Sequence, residues 1–177
     1  MILVAMPALL DPNFRQSVVL LCEHGENGAM GLVVNRPTTV SLSRIHPEAG
    51  RRYGWDDPVY VGGPVQTQSL MILYRGEPAP NAHPVLENSH LTGDLGLLET
   101  LDRFIGPERH VRFYQGYAGW APGQLEMEIS AGGWKLMPGD LKIVFQTDPL
   151  RVWPKIIQTL GEEWTAYADM PPDPRLN

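Results

Sequence analysis

The segment QSVVLLCEHGENGAMGLVVNRP constrains the fold more than any other stretch of this chain. Val18 to Cys22 form a β-branched, apolar run, which is the pattern of a strand. Gly25-Glu26-Asn27-Gly28 supplies the positive-φ positions that a tight hairpin needs. The run from Ala29 to Val34 is apolar again and reads as the return strand. A β-hairpin over residues 17–37 is therefore expected.

Other runs repeat the strand pattern. MILVAMPALL opens the chain as a buried strand ending near Pro7, and DPNF follows as a turn. PVYVGGPV, SLMILYRG, HVRFYQGYAGW and LKIVFQTD all read as strands, with Val111 and Phe113 on one face. TTVSLSRIHPEAG suggests a short helix that Pro47 ends. TGDLGLLETLDRFIG suggests a longer helix, capped by Thr92 and stopped by Gly106-Pro107. PLRVWPKIIQTLG suggests another, with Pro149 in its first turn, a kink at Pro154 and Gly161 at its end. Residues 76–90 are rich in proline and read as a surface excursion. The residues after Gly161 read as a tail, frayed from about residue 171. Hairpins interleaved with a few helices point to an α+β class: a mixed, largely antiparallel sheet with helices packed outside.

The 177 residues fit one domain, with a composition that is globular rather than disordered. The net charge of −6 disfavours direct nucleic-acid binding, which draws most of its affinity from basic residues. Arg51-Arg52 and Arg109-His110-Val111-Arg112 are the densest basic spots, and both read as solvated surface. One cysteine, Cys22, excludes an intramolecular disulfide and a multi-cysteine zinc site. The N-terminal apolar run lacks a basic flank and is too short to span a bilayer. A cytoplasmic location is the expectation.

Five ordered blocks carry a family resemblance: AMPALLDPNFRQSVVLLCEHGENGAMGLVVNRP, VYVGGPVQ, FYQGYAGWAPGQLEMEI, WKLMPGD and VFQTDPLRVWPKIIQTLG. Together they span nearly the whole chain, which resembles the AlgH/YqgE family of bacterial proteins. Ala8 stands where the family pattern has glycine. The resemblance implies a single α+β domain over residues 1–177, with a partly barrel-like sheet surrounded by helices. It implies no established activity. One member's link to alginate production gave many relatives the label of transcriptional regulator, which is an association and not a mechanism. No helix-turn-helix pattern accompanies it here.

Chemical motifs are sparse. Cys22 and His24 share a face of the predicted strand, with Glu23 pointing away, so a thiol with a histidine base is geometrically open. The alternative is a small core thiol beside a turn histidine. His24, His46, His83, His90 and His110 show no metal-ligand spacing. No GxSxG, phosphate-loop or dinucleotide motif is present. No catalytic residue, metal or cofactor is therefore assigned.

The candidate ligand-binding residues are His24, Asn35, Gly62, Gly63, Gly116, Gly119 and Trp120. Gly116, Gly119 and Gly123 lie between a strand and Pro122, which suits the first turn of a helix. Glu126 and Glu128 follow at once and would repel an anion. LEMEIS fits period 2 as well as a helix; the helical reading buries Leu125 and Ile129. Two readings of these glycines stay open: a packing corner, or the edge of a cleft. The functional expectation is a non-catalytic binding or regulatory protein, with a protein or small-molecule partner and an indirect effect on transcription. The alternative is a hydrolase-like enzyme with a cleft near Trp120.

Overall fold

The computed structural model describes residues 1–53, 57–106, 108 and 110–170. Strand β1 (Ile2–Ala5) is wholly buried. It pairs antiparallel with β2 (Val18–Gly25), which returns through Glu26-Asn27 to β3 (Gly28–Val33). This is the expected hairpin, closed by a Gly25–Gly28 pair with Gly28 at φ +110°. Next come β4 (Pro37–Ser41), α1 (Leu42–Ile45), α2 (Pro47–Tyr53) and β5 (Pro58–Val61). Pro47 starts the second helix rather than ending the first, a position where its missing N–H costs nothing.

The long strand β6 (Val65–Arg75) leads to β7 (His83–Leu86) and β8 (Ser89–Thr92). The expected surface excursion is thus a second hairpin, and Ser89 to Thr92 are buried. The helix expected from TGDLGLLETLDRFIG is instead two 3-10 turns, Leu95–Glu99 and Leu101–Arg103. Asp94, not Thr92, caps the first by accepting from Gly96 N–H at 2.9 Å. Glycine at position 96 weakens a full helix by about 1 kcal/mol, and the short i→i+3 bonds prevail.

Strand β9 (Val111–Trp120) is followed by α3 (Gln124–Ser130) and β10 (Trp134–Met137). Pro122 lies before the left-handed Gly123 that precedes α3, so it is outside the helix. LKIVFQTD, expected as a strand, forms α4 (Leu141–Phe145), capped by Asp140 and burying Leu141 and Val144. Helix α5 (Pro149–Thr159) begins at Pro149 behind an Asp148 cap, as its sequence requires, and contains Pro154. The expected tail instead begins with α6 (Glu162–Ala168), which packs on α5. The fraying expected from about residue 171 falls outside the described residues.

The sheet runs β10-β1-β2-β3-β9-β6-β8-β7, with β5 joined to β9 and β4 joined to β5. All ladders are antiparallel except β5 with β9. The path is not closed: β10 and β7 are its ends. Yet β2 and β7 approach each other across the sheet's inner face without a ladder between them. Alternation along the central strands divides the core. Leu73 and Tyr114 pack with α5 residues Trp153 and Ile157 on one face; Ile72, Tyr74 and Phe113 pack with Leu98 and Leu101 on the other. Trp153 also donates its indole N–H to Ala5 carbonyl at 2.7 Å, tying α5 to the end of β1.

Candidate functional site

Two adjoining cavities open where β2 approaches β7. One, of about 520 Å³, lies between Cys22 and Glu23 of β2 and His83 and Val85 of β7, with Leu91 of β8 beside them. The other, of about 570 Å³, extends towards Tyr117, Gly119 and Trp120 on β9. Glu23, Met30 and Met71 line both. No residue of α4, α5 or α6 lines either, so this is a stretch of the inner face that the helices leave uncovered. Its lining suits an apolar body: two methionine side chains, which adapt their shape readily, beside Val65, Val85 and Leu91. Its polar groups sit at the edge. Glu23 and Asp94 are exposed carboxylates, and Asn81 Nδ2 donates to Asp94 Oδ2 at 3.2 Å. Thr92 donates its hydroxyl to Asn81 carbonyl at 3.0 Å.

A bulge decides which side chains face this space. The β2–β3 register shifts between Leu21 and Glu23, leaving Cys22 as the extra residue. Alternation breaks there, so Cys22 and Glu23 both line the cavity, against the expectation that Glu23 points away. His24 goes elsewhere: its Nε2 lies 2.5 Å from Glu126 Oε1 on α3. That hydrogen bond holds the exposed Glu126 carboxyl below its usual pKa. The Cys22 thiol is pushed up to about 12, first by burial and then by the Glu23 charge. It donates weakly to Leu20 carbonyl at 3.4 Å. A protonated thiol whose neighbouring histidine bonds another residue is not an activated nucleophile. Among the described residues, no cluster of three His, Cys, Asp or Glu side chains could hold a metal.

The other candidates separate into two sets. Gly62, Gly63 and Gly116 pack backbone against backbone. Gly62 N–H donates to Gln115 carbonyl, while Gly62 carbonyl accepts from Val33 N–H, both at 2.8 Å. A Cβ on Gly62 would stand 2.2 Å from Gly116 carbonyl oxygen, and one on Gly116 would stand 2.5 Å from Gly63 carbonyl oxygen. Asn35 is a buried staple: it accepts from Val18 N–H at 2.8 Å and donates to Gln16 carbonyl at 2.9 Å. Gly119 and Trp120 are different, because both line the second cavity. A Cβ on Gly119 would meet only ordinary contacts, the nearest at 3.5 Å.

Trp120 is fixed from behind. Its ring stacks on Phe14 and meets Trp134 edge-on, each with centroids 5.9 Å apart. Glu128 accepts from Trp120 Nε1 at 3.0 Å, from Trp134 Nε1 at 2.8 Å and, through its other oxygen, from Gln124 Nε2 at 2.8 Å. One carboxylate thus anchors the wall of the cavity.

The family described as AlgH-like matches residues 2–165. The chain belongs to that family. A UPF0301 protein of Thioalkalivibrio sulfidiphilus is 40% identical over 163 residues, covering 90% of this chain and 87% of that protein. One from Myxococcus xanthus is 38% identical over 166 residues, covering 90% and 89%. The solution structure of AlgH from Pseudomonas aeruginosa superimposes with a TM-score of 0.72 at 32% identity, covering 97% of this chain and 93% of that one. A crystal structure from Corynebacterium diphtheriae matches with a TM-score of 0.79 at 24% identity, covering 96% and 90%. The last likeness speaks for the fold alone.

Within this AlgH-like chain, sequence reasoning missed Met30, Met71, Glu23 and Glu128 as builders of the site. The two methionines read as ordinary core positions in strands, and only the sheet's uncovered face distinguishes them. Glu128 carried a legible signal: it follows Trp120 by eight residues and Gln124 by four, a spacing that places it one helical turn beyond Gln124.

Proposed function

We propose that this AlgH-like protein is a non-catalytic binding protein whose ligand occupies the opening between β2, β7 and β9. The observation that carries this reading is the shared apolar lining of the two cavities around Met30 and Met71, with carboxylates only at the edge. Such a site favours a small molecule with an apolar body and an amine or other donor directed at Glu23 or Asp94. The lone Cys22 fits a cytoplasmic setting, where thiols stay reduced. A regulatory output would follow from ligand occupancy, with any effect on transcription indirect. The protonated state of Cys22 weighs against the hydrolase alternative in which that thiol is the nucleophile.

Ligand-detected NMR with a library of amine-bearing apolar compounds tests the reading. Binders should lose affinity in Met71→Ala and in Glu23→Gln, two lining residues outside the buried core. Binders unaffected by either substitution would place the site elsewhere. Binders turned over by the protein would return the enzyme reading.

A further inference from the structure

A third cavity lies apart from this opening and has the opposite chemistry. It measures about 190 Å³ and is lined by Asp57, Pro58, Tyr60, His110, Arg112 and Phe145, among others. The sequence presents Arg112 and His110 as part of a solvated basic spot, but the fold half-buries both. Arg112 projects from β9 on the same face as Tyr114. Its guanidinium lies 4.6 Å from the centre of the Tyr60 ring, and its Nη2 donates to Phe145 carbonyl at 3.3 Å. The His110 ring stacks on Phe145 with centroids 5.2 Å apart and planes 9° from parallel. These contacts orient a cation without neutralising it. No carboxylate within the described residues forms an ion pair with Arg112.

Charge placement around the group is uneven. Asp57, exposed at the rim, is the carboxylate that acts on Arg112 through space, and no direct bridge joins them. Glu108 belongs to the neighbouring set: its Oε2 lies 3.4 Å from Arg75 Nη1 and 3.2 Å from His110 Nδ1. A guanidinium keeps its charge at any pH a protein experiences, and a desolvated charge calls for a partner of opposite sign. The space is too small for a drug-sized ligand. It has room for one carboxylate or phosphate group with water beside it. A guanidinium presents parallel donors to such a group.

We infer that the pocket between Arg112, His110 and Tyr60 is a binding site for a small oxyanion, a carboxylate or phosphate group held by the Arg112 guanidinium. The Tyr60 ring and the Phe145 carbonyl hold the donor plane, and Asp57 lowers affinity by facing the anion with like charge. This site is independent of the apolar opening proposed above.

The test uses the isotope-labelled full chain, titrated separately with inorganic phosphate and with acetate, against sodium chloride at matched ionic strength. Saturable shifts centred on Arg112, His110 and Phe145 are expected, and the anion that saturates first identifies the group recognised. Arg112→Gln should weaken binding by about tenfold or more, since a charge-assisted bidentate contact is lost. Arg112→Lys keeps the charge but not the fork, so it should retain phosphate better than acetate. Asp57→Asn changes an exposed rim residue and should tighten binding severalfold; it carries the test alone if the Arg112 variants do not fold. Shifts that follow ionic strength without saturating would overturn the inference. So would saturation unchanged by Arg112→Gln, or binding that weakens in Asp57→Asn.

Discussion

Glu128 offers the sharpest test of how the cavity wall is built. Trp120 and Trp134 are 5% and 3% exposed, so their indole N–H groups have little access to water. Both donate to the same Glu128 oxygen, at 3.0 Å and 2.8 Å. Glu128→Ala removes that acceptor and leaves two buried donors without a partner. Each such donor costs about 1–3 kcal/mol, so the pair predicts a loss of roughly 2–6 kcal/mol. That is a large share of the total stability of a domain, which is on the order of 5–15 kcal/mol. Glu128→Gln keeps one carbonyl oxygen but loses the charge, and should cost about half as much. Urea unfolding followed by tryptophan fluorescence reads both variants, because the two indoles lie at the substituted site. The midpoint should fall in the order wild type, Gln variant, Ala variant, with an unchanged slope. Equal losses in the two variants, or a loss below about 0.5 kcal/mol for Glu128→Ala, would mean that Glu128 does not satisfy the two indoles, because buried unsatisfied donors cost more than that.

Three further outcomes are expected. Gly62→Ala should be severely destabilised, as its Cβ would press on the Gly116 backbone, whereas Gly119→Ala should fold with a change within about 1 kcal/mol; thermal unfolding of the pair checks which glycines are corner and which are cleft. Cys22, with its thiol pushed up to about 12, should react with iodoacetamide at neutral pH on the order of a thousandfold more slowly than a free thiol of pKa about 8.5, and rapid native-state labelling would contradict the raised pKa. The Glu126 carboxyl should titrate below the usual glutamate value by NMR and return towards it in His24→Ala. Because its folded pKa is the lower one, the His24 contact favours the folded state above the unfolded value. That benefit fades as the pH falls through the folded value.

The β2–β3 hairpin was legible because both its signals are local: β-branched runs and a turn whose glycines permit positive φ. The start of α5 was legible for the same reason, with Asp148 and Pro149 in cap and first-turn positions. The family was legible from ordered blocks that span the chain. Short apolar runs were not. LKIVFQTD alternates as well as a strand, and it became α4 because Asp140 caps it and a Leu141–Val144 face meets the core. TGDLGLLETLDRFIG has helical spacing, yet Gly96 and the Asp94 cap left it as 3-10 turns.

For the candidate site, sequence picked out the chemistry-bearing residue types and could not tell their neighbours. Gly116 and Gly119 are three residues apart in one strand, but one touches the Gly63 backbone and the other lines a cavity. Cys22, Glu23 and His24 are consecutive, but a bulge sends two towards the opening while the third bonds α3. The β2–β3 turn, the cap of α5 and the class of fold could be read from the chain alone, because these depend on backbone preferences and on contacts a few residues apart. Only the tertiary structure decided which face of the sheet the helices leave bare, because that depends on how segments far apart in the chain pack.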